Sequence, residues 1–452
     1  MKISVQIAVL AGLLALAGLT VRAQEKAEDI RPPVMNVQQE TLANGLHVVM
    51  LEEHQVPVIN LQVWYHVGSK DELPGHTGFA HLFEHLMFKG SAHVGPSEMS
   101  RIIEAMGGSF NAYTNDDTTV FWETFPSNYL ERVCWLEADR LGSLNVDDAN
   151  FKSEREVVKE ERRVRIDNQP YGLIQEDLYA AAFEVHPYHH TTIGSIEDLN
   201  KATVADVRQF HDTYYKPNNA TMVIVGDFQP GEALAWAKKY FEGIPASAGP
   251  IPRPAKTEPP QTEQRVVNKS YSNTPLPAVV IGYKMPARYA PDSYALDLTS
   301  AILAGGESGR LYQSLVYKDR IAASAGGAGN FTEDPNLFFA YAILNQGHTS
   351  AEGEGAVIHV LDELKAKAVD AKELEKAKNQ EIAGAVLERD TDQEKGDAIG
   401  AAAVLGKDSG LVNTELDRYL KVSADDVQRV ARQYFTKEQS TVLLITPAPA
   451  SK

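Results

Sequence analysis

An internal repeat constrains this fold more than any other feature of the sequence. Val204-Ala205-Asp206-Val207, running on to Tyr214-Tyr215 and then Thr221–Val225, returns as Ala424-Asp425-Asp426-Val427, Tyr434-Phe435 and Thr441–Ile445. Asp206 and Asp426 are 220 positions apart, and the other pairs keep that offset. The same offset lays the strand-like run Val58–Tyr65 on Ala278–Met285. A register held at two distant places without a gap points to duplication. Strand periods sit beside helical ones in both copies, so the repeat predicts an α+β chain. Two homologous domains of about 220 residues are expected, each a mostly antiparallel sheet packed with helices. Residues 244–263 are rich in Pro, Ala and Gly and read as a linker between a domain at 37–243 and its copy at 264–450.

The first 23 residues read as a leader. Lys2 precedes an apolar run from Ile7 to Leu19, and Val21-Arg22-Ala23 offers a small-residue cleavage site, so a secretory signal cut after Ala23 is expected. The run is shorter than the roughly 20 residues a bilayer span needs. Residues 24–36, polar and Pro-containing, read as a flexible lead-in. The expectation is a periplasmic or secreted protein with no stable membrane span. The formal charge is -18, and -20 once Lys2 and Arg22 are removed, which argues against nucleic acid as a partner. Cys134 is the single cysteine, so an internal disulfide and a cysteine-based metal centre are both excluded.

Within the first copy, Asn44-Gly45 marks a hairpin in Glu40–Leu51. Pro96–Met106, Pro126–Gly142 and Phe151–Asp167 read as helices, and Ser109–Thr124 as two strands around a polar turn. His186-Pro187-Tyr188-His189-His190 reads as a solvated loop by composition.

The chemistry concentrates in His81-Leu82-Phe83-Glu84-His85. Gly78 and Gly90 suit the two ends of a short helix. At about 100° per residue, Phe79, Leu82, Phe83 and Leu86 share one side, and His81, Glu84 and His85 share the other. Two imidazoles four residues apart can grip one metal ion, with the carboxylate between them beside it. A catalytic zinc takes three protein ligands and keeps one position for water. The helix Phe151–Asp167 offers Glu154, Glu156, Glu160 and Glu161 as a third donor; Glu154 and Glu161 fall on one face, and periodicity does not choose between them. Adding 220 carries His81, Glu84 and His85 to Ala301, Ala304 and Gly305. Restriction of the polar trio to one copy fits a function rather than a need of the fold.

At this point the sequence resembles the pitrilysin-type zinc peptidases, which include mitochondrial processing peptidase and insulin-degrading enzyme. The resemblance rests on His81–His85 with Gly78, Phe79 and Gly90, on Asn111-Ala112-Tyr113-Thr114, and on Glu154-Arg155-Glu156-Val157-Val158-Lys159-Glu160-Glu161. It extends to His186-Pro187-Tyr188 with Gly194 and to Tyr215-Lys216-Pro217-Asn218-Asn219-Ala220 with Gly226-Asp227. The second half matches mainly through the repeat and Ser308-Gly309-Arg310-Leu311-Tyr312.

The resemblance implies one zinc per chain held by His81, His85 and Glu161, the last 76 residues beyond His85. It implies Glu84 as general base and Glu154 as an acidic group supporting the ligands. Asn111 and Ala112 would lie on an edge strand that pairs with an extended peptide substrate. The activity implied is that of a zinc endopeptidase. In relatives complete in one chain a later domain adds an Arg and a Tyr; the aligned positions here hold Val316 and Ala323. The chain therefore resembles the short branch, in which a second two-domain chain closes on the first and supplies that pair. A homodimer is the other arrangement and would lack it. The competing expectation is a non-catalytic assembly or binding subunit, against which the full set His81, Glu84, His85 and Glu161 argues.

Overall fold

The computed structural model describes residues 31–254 and 257–448. The expected signal lies outside them. No helix among the described residues is long and apolar enough to cross a membrane.

Among the described residues, eleven strands form two sheets. In the first half they are β1 (Gln38–Thr41), β2 (His47–Glu52), β3 (Val58–Tyr65), β4 (Ser109–Thr114), β5 (Thr119–Pro126) and β6 (Ala220–Gly226). In the second they are β7 (Arg265–Tyr271), β8 (Ala278–Met285), β9 (Ala322–Gly329), β10 (Asn336–Leu344) and β11 (Ser440–Pro447). The sheet orders are β1-β2-β6-β3-β5-β4 and β7-β11-β8-β10-β9. Apart from β1 the two orders correspond strand for strand. In each sheet a single pair is parallel, β2 with β6 and β7 with β11, and the rest are antiparallel. The 220-residue offset holds in the structure, since β8 begins and ends 220 residues after β3. The helix Ala424–Tyr434 likewise repeats Val204–Tyr214.

Each half covers one face of its sheet with its own helices. In the first half Ile59, Leu61, Val63 and Tyr65 meet Phe79, Leu82, Phe83 and Phe210 in one core. The opposite faces are apolar too, and each is covered by the other half. The helix Ile174–Ala182 packs Leu178, Tyr179 and Ala182 on Ala278, Val280 and Leu443 of the second sheet. The helix Asp392–Val404 packs Ile399 and Val404 on Trp64, Val223 and Val225 of the first. Gly400 lies so close there that a Cβ would fall 2.1 Å from the Trp64 ring.

Polar groups lock the halves at the sheet ends. Lys70, buried in the first half, sits 2.8 Å from Asp117 and 2.6 Å from Glu333 of the second. Glu333 also meets His66 Nε2 at 2.6 Å and donates its backbone N–H to Asp117. Tyr188 donates its hydroxyl to Asp117 at 2.6 Å and accepts the Asp334 N–H. The His186–His190 stretch, expected to be a solvated loop, is therefore part of this lock, with His186, Pro187 and Tyr188 buried. Its aromatic and imidazole groups pack against Phe183 and one another, which composition alone did not reveal. Residues 31–36 of the expected lead-in carry no helix or strand, yet Met35 is buried and exchanges two hydrogen bonds with Asn413.

Lys70→Ala would leave the buried Asp117 without its cation and take from Glu333 one of the cationic partners it shares with His66, a loss of about 3–5 kcal/mol. Burial alone would raise the Glu333 carboxyl; the hydrogen bond from His66 and the charges of His66 and Lys70 outweigh it and hold it well below the ordinary range. A lowered carboxylate contributes stability above its unfolded value and loses it as pH falls through its folded value. Urea unfolding across acid to neutral pH should show wild-type stability falling on acidification, and a weaker fall in Lys70→Ala.

Candidate active site

The motif helix runs Phe79–Leu86 and buries Phe79, Leu82, Phe83 and Leu86 in the first core, so His81, Glu84 and His85 face the cleft as the periodicity requires. Its start is fixed in two ways. Gly78 adopts φ +90°, and a Cβ there would lie 2.7 Å from the Ile193 carbonyl oxygen. The buried Glu72 carboxylate accepts the N–H groups of Gly78 at 2.9 Å and Ala80 at 2.8 Å, closing the positive end of the helix.

Across the cleft lies the helix Asp148–Arg162, which Asp147 starts by accepting the Asn150 N–H at 2.7 Å. The sequence predicts one helix over 151–167. The structure begins it three residues earlier and widens it into a π-helical turn over Arg163–Asp167. Glu161 Oε2 stands 3.3 Å from His85 Nε2 and 3.7 Å from His81 Nε2. These three side chains are the one group of metal-capable residues that converges among the described residues. Ligands around a tetrahedral zinc at its usual bond lengths sit about 3.3 Å apart, so the spacing fits that ion.

Burial, with the neighbouring His85 second, holds the His81 imidazole down to about 4. It is therefore neutral at physiological pH, as a ligand must be. Its Nδ1 is buried without a hydrogen-bond partner. At His85 burial alone would lower the pKa, but Glu154, Glu161 and Glu84 outweigh it and raise it. Glu154 Oε2 lies 3.6 Å from His85 Nδ1, on the far side of the ring from Glu161. The other Glu154 oxygen meets Lys89 Nζ at 2.8 Å. Glu154 thus stands behind the imidazole and lies outside the converging trio. Of the four glutamates on the helix, the geometry brings only Glu161 to both Nε2 atoms.

Burial raises the Glu84 carboxyl above the ordinary range, opposed by a hydrogen bond from Thr114 Oγ1 to Glu84 Oε2 at 2.7 Å. Thr114 ends β4, the edge strand of its sheet. Successive strand residues alternate faces, so Ala112 shares the Thr114 side, where it packs on the first core, and Asn111 shows its side chain to the other. The sequence reading names Asn111 and Ala112 on this strand and misses Thr114, although the same alternation singles it out. It also misses Lys89, four residues beyond His85, and Arg165, whose Nη1 is 2.7 Å from Glu161 Oε1. Both lie at helical i, i+4 spacing from a site residue, the signal that would have found them.

The second copy is blank in structure as in sequence. Ala301 and Ala304 lie on the helix Ser293–Ala304, with Gly305 at its end. Val316 packs on the second core and Ala323 is exposed on β9, so neither aligned position offers a polar group to a peptide.

Two protein-family models match the chain. The one described as insulinase (peptidase family M16) covers residues 47–195, and the one described as peptidase M16 inactive domain covers residues 201–381. The chain is 32% identical over 440 residues to the zinc protease PqqE of Helicobacter pylori, spanning 97% of this chain and 98% of that protein. It is 24% identical over 416 residues to the probable mitochondrial-processing peptidase subunit beta of Arabidopsis thaliana, spanning 90% and 78%. The crystal structure of a protease from Helicobacter pylori superposes with a TM-score of 0.88 at 32% identity, covering 92% of this chain and all of that one.

The arrangement around His85 makes a measurable demand. Glu154→Gln removes the charge behind the imidazole and should weaken zinc binding by about 10- to 100-fold, read by competition with a chromogenic chelator.

Proposed function

The chain belongs to the insulinase family of peptidases, family M16, and on that premise we propose that it is a zinc-dependent endopeptidase acting on extended or small peptides outside the cytoplasm. The observation that carries this reading is the convergence of His81 Nε2, His85 Nε2 and Glu161 Oε2 with Glu84 alongside. A zinc bound by those three groups supplies a Lewis acid and an acidified water.

The protein's own groups do the rest. Glu84 takes a proton from the attacking water and delivers it to the leaving amine. Thr114 holds one Glu84 oxygen and leaves the other free for that transfer. Burial raises the Glu84 pKa toward the range where one group can serve first as base and then as acid. The edge of β4 offers its backbone to an extended peptide, which aligns the scissile bond past the motif helix. Glu154 fixes the tautomer and orientation of His85.

The reading includes a partner. Val316 and Ala323 supply no polar groups for the substrate carbonyl, so a second two-domain chain closes the cleft and brings an Arg and a Tyr. A homodimer is the simpler assembly and lacks that pair. The relative named as a peptidase subunit supports a shared site. The leader-like residues 1–23 support export.

Glu84→Gln tests the chemistry. It should keep its metal and lose about 10²–10⁴-fold in peptide cleavage. Cleavage at the wild-type rate, or none by zinc-loaded wild type even with candidate partner chains, would sink the proposal. Thr114→Val removes a bond that lowers the Glu84 pKa, so the acid limb of kcat/KM should move to higher pH. Full activity of a lone purified chain, with no gain on adding a partner, would remove the two-chain part.

A further inference from the structure

Glu161 has its two oxygens engaged on different sides. Oε2 faces both histidine Nε2 atoms, and Oε1 is 2.7 Å from Arg165 Nη1. The difference matters because a carboxylate can grip a metal with one oxygen or with both. With both it occupies a position that a catalytic site keeps for water. The terminal torsion of a glutamate is broad and roughly two-fold, so the side chain alone does not choose.

The arginine comes from a turn built to stay in place. Arg165 lies in the π-helical segment Arg163–Asp167, immediately after the α-helix that carries Glu161. The preceding Arg162 is buried and ties this turn to the Gly194 carbonyl at 2.6 Å and to Glu176 at 2.8 Å. Gly172 packs so close to the turn that a Cβ would fall 2.1 Å from the Ile166 carbonyl oxygen. The Arg165 side chain itself is 73% exposed at the rim of a cavity of about 240 Å³ that His81, Glu161 and Thr114 also line. With its arginine exposed, the pair contributes little to folding. The same division of labour recurs nearby. Glu84 gives one oxygen to Thr114, and His85 has one nitrogen toward Glu161 and the other toward Glu154.

We propose that Arg165 is a positioning residue that reserves Oε1 of Glu161, so that Glu161 meets the metal through Oε2 alone and a coordination position stays open for water and peptide. The inference rests on the zinc reading above and adds a role to a residue outside the ligand set. It concerns how Glu161 binds rather than whether the protein cleaves.

Cobalt(II) in place of zinc gives the test without any turnover, because the intensity of its visible bands falls as coordination number rises. Wild type, Arg165→Ala and Arg165→Lys of the full chain would be loaded with cobalt, and their spectra and affinities compared. Far-UV circular dichroism would check that each variant is folded. The expected result is an intense wild-type band, a weaker band in Arg165→Ala with an affinity lower by about 10-fold, and partial return in Arg165→Lys, which keeps the charge but loses the planar fork. A wild-type band and affinity in Arg165→Ala would overturn the inference while leaving the zinc reading intact. Lower affinity with an unchanged band would also overturn it, since Arg165 would then act only through its charge. A wild type that binds neither cobalt nor zinc would overturn the zinc reading and this inference together.

Discussion

Each sheet here has two apolar faces, and one half of the chain owns helices for only one of them. The second face of each sheet is closed by a helix from the other half, Ile174–Ala182 in one direction and Asp392–Val404 in the other. Apolar surface on this scale has to be removed from water, so neither half is complete by itself. The exchange also reaches the site. The helix bearing Glu161 runs through its π-turn into Ile174–Ala182, which is seated on the second sheet. The third ligand candidate is held against the motif helix by Phe151 and Val158 in the first core, and the chain that follows it is anchored on the second sheet. The buried Lys70 and Asp117, with the half-buried Glu333, give the packing between the halves a definite registry, the best-attested use of buried charge.

Much of this was legible in the residues. The 220-residue repeat located β8 against β3, and the helix Ala424–Tyr434 against Val204–Tyr214, to the residue because duplicated segments keep their hydrophobic period. The faces of Phe79–Leu86 followed from its spacing. The helix exchange was not legible, because a helix with one apolar stripe reads the same whichever sheet it covers. Gly400 carries a trace of it, since only a residue without a Cβ lets that helix lie on Trp64, but a lone glycine in a helical run has many meanings. The burial of His186–Tyr188 escaped for a similar reason. His, Pro and Tyr are common in exposed turns, and only Asp117, Phe183 and Asp334 around them make the stretch interior.

Within the site, sequence spacing delivered His81, Glu84 and His85 but left four glutamates as the third donor. The structure separates them by direction. Glu154 and Glu161 share a helix face, yet one turns to His85 Nδ1 and Lys89 and the other to both Nε2 atoms. Thr114, Lys89 and Arg165 left a trace in strand alternation or i, i+4 spacing, whereas Glu72 carries no motif of its own and becomes visible only when its segment is brought against the start of the motif helix.

The two copies show what turns a carboxylate into a site. At the 220-residue offset Glu161 corresponds to Glu381, which lines a cavity of about 440 Å³ between the halves. Burial, with Asp297, Glu388 and Glu415 adding to it, pushes Glu381 up to about 8, so it is largely protonated at neutral pH. A buried carboxylate surrounded by others relieves its charge by taking a proton. In the first copy the same helical position faces two imidazoles, one of which burial keeps neutral. Glu84, Glu154 and Glu161 are there set against Lys89 and Arg165, an arrangement one positive charge short when all three are ionised and His85 is neutral. Two imidazole nitrogens beside that deficit suit a metal cation, because a metal can use the lone pairs as well as the charge. Loss of the histidines from the second copy removes the donors and leaves only the acid.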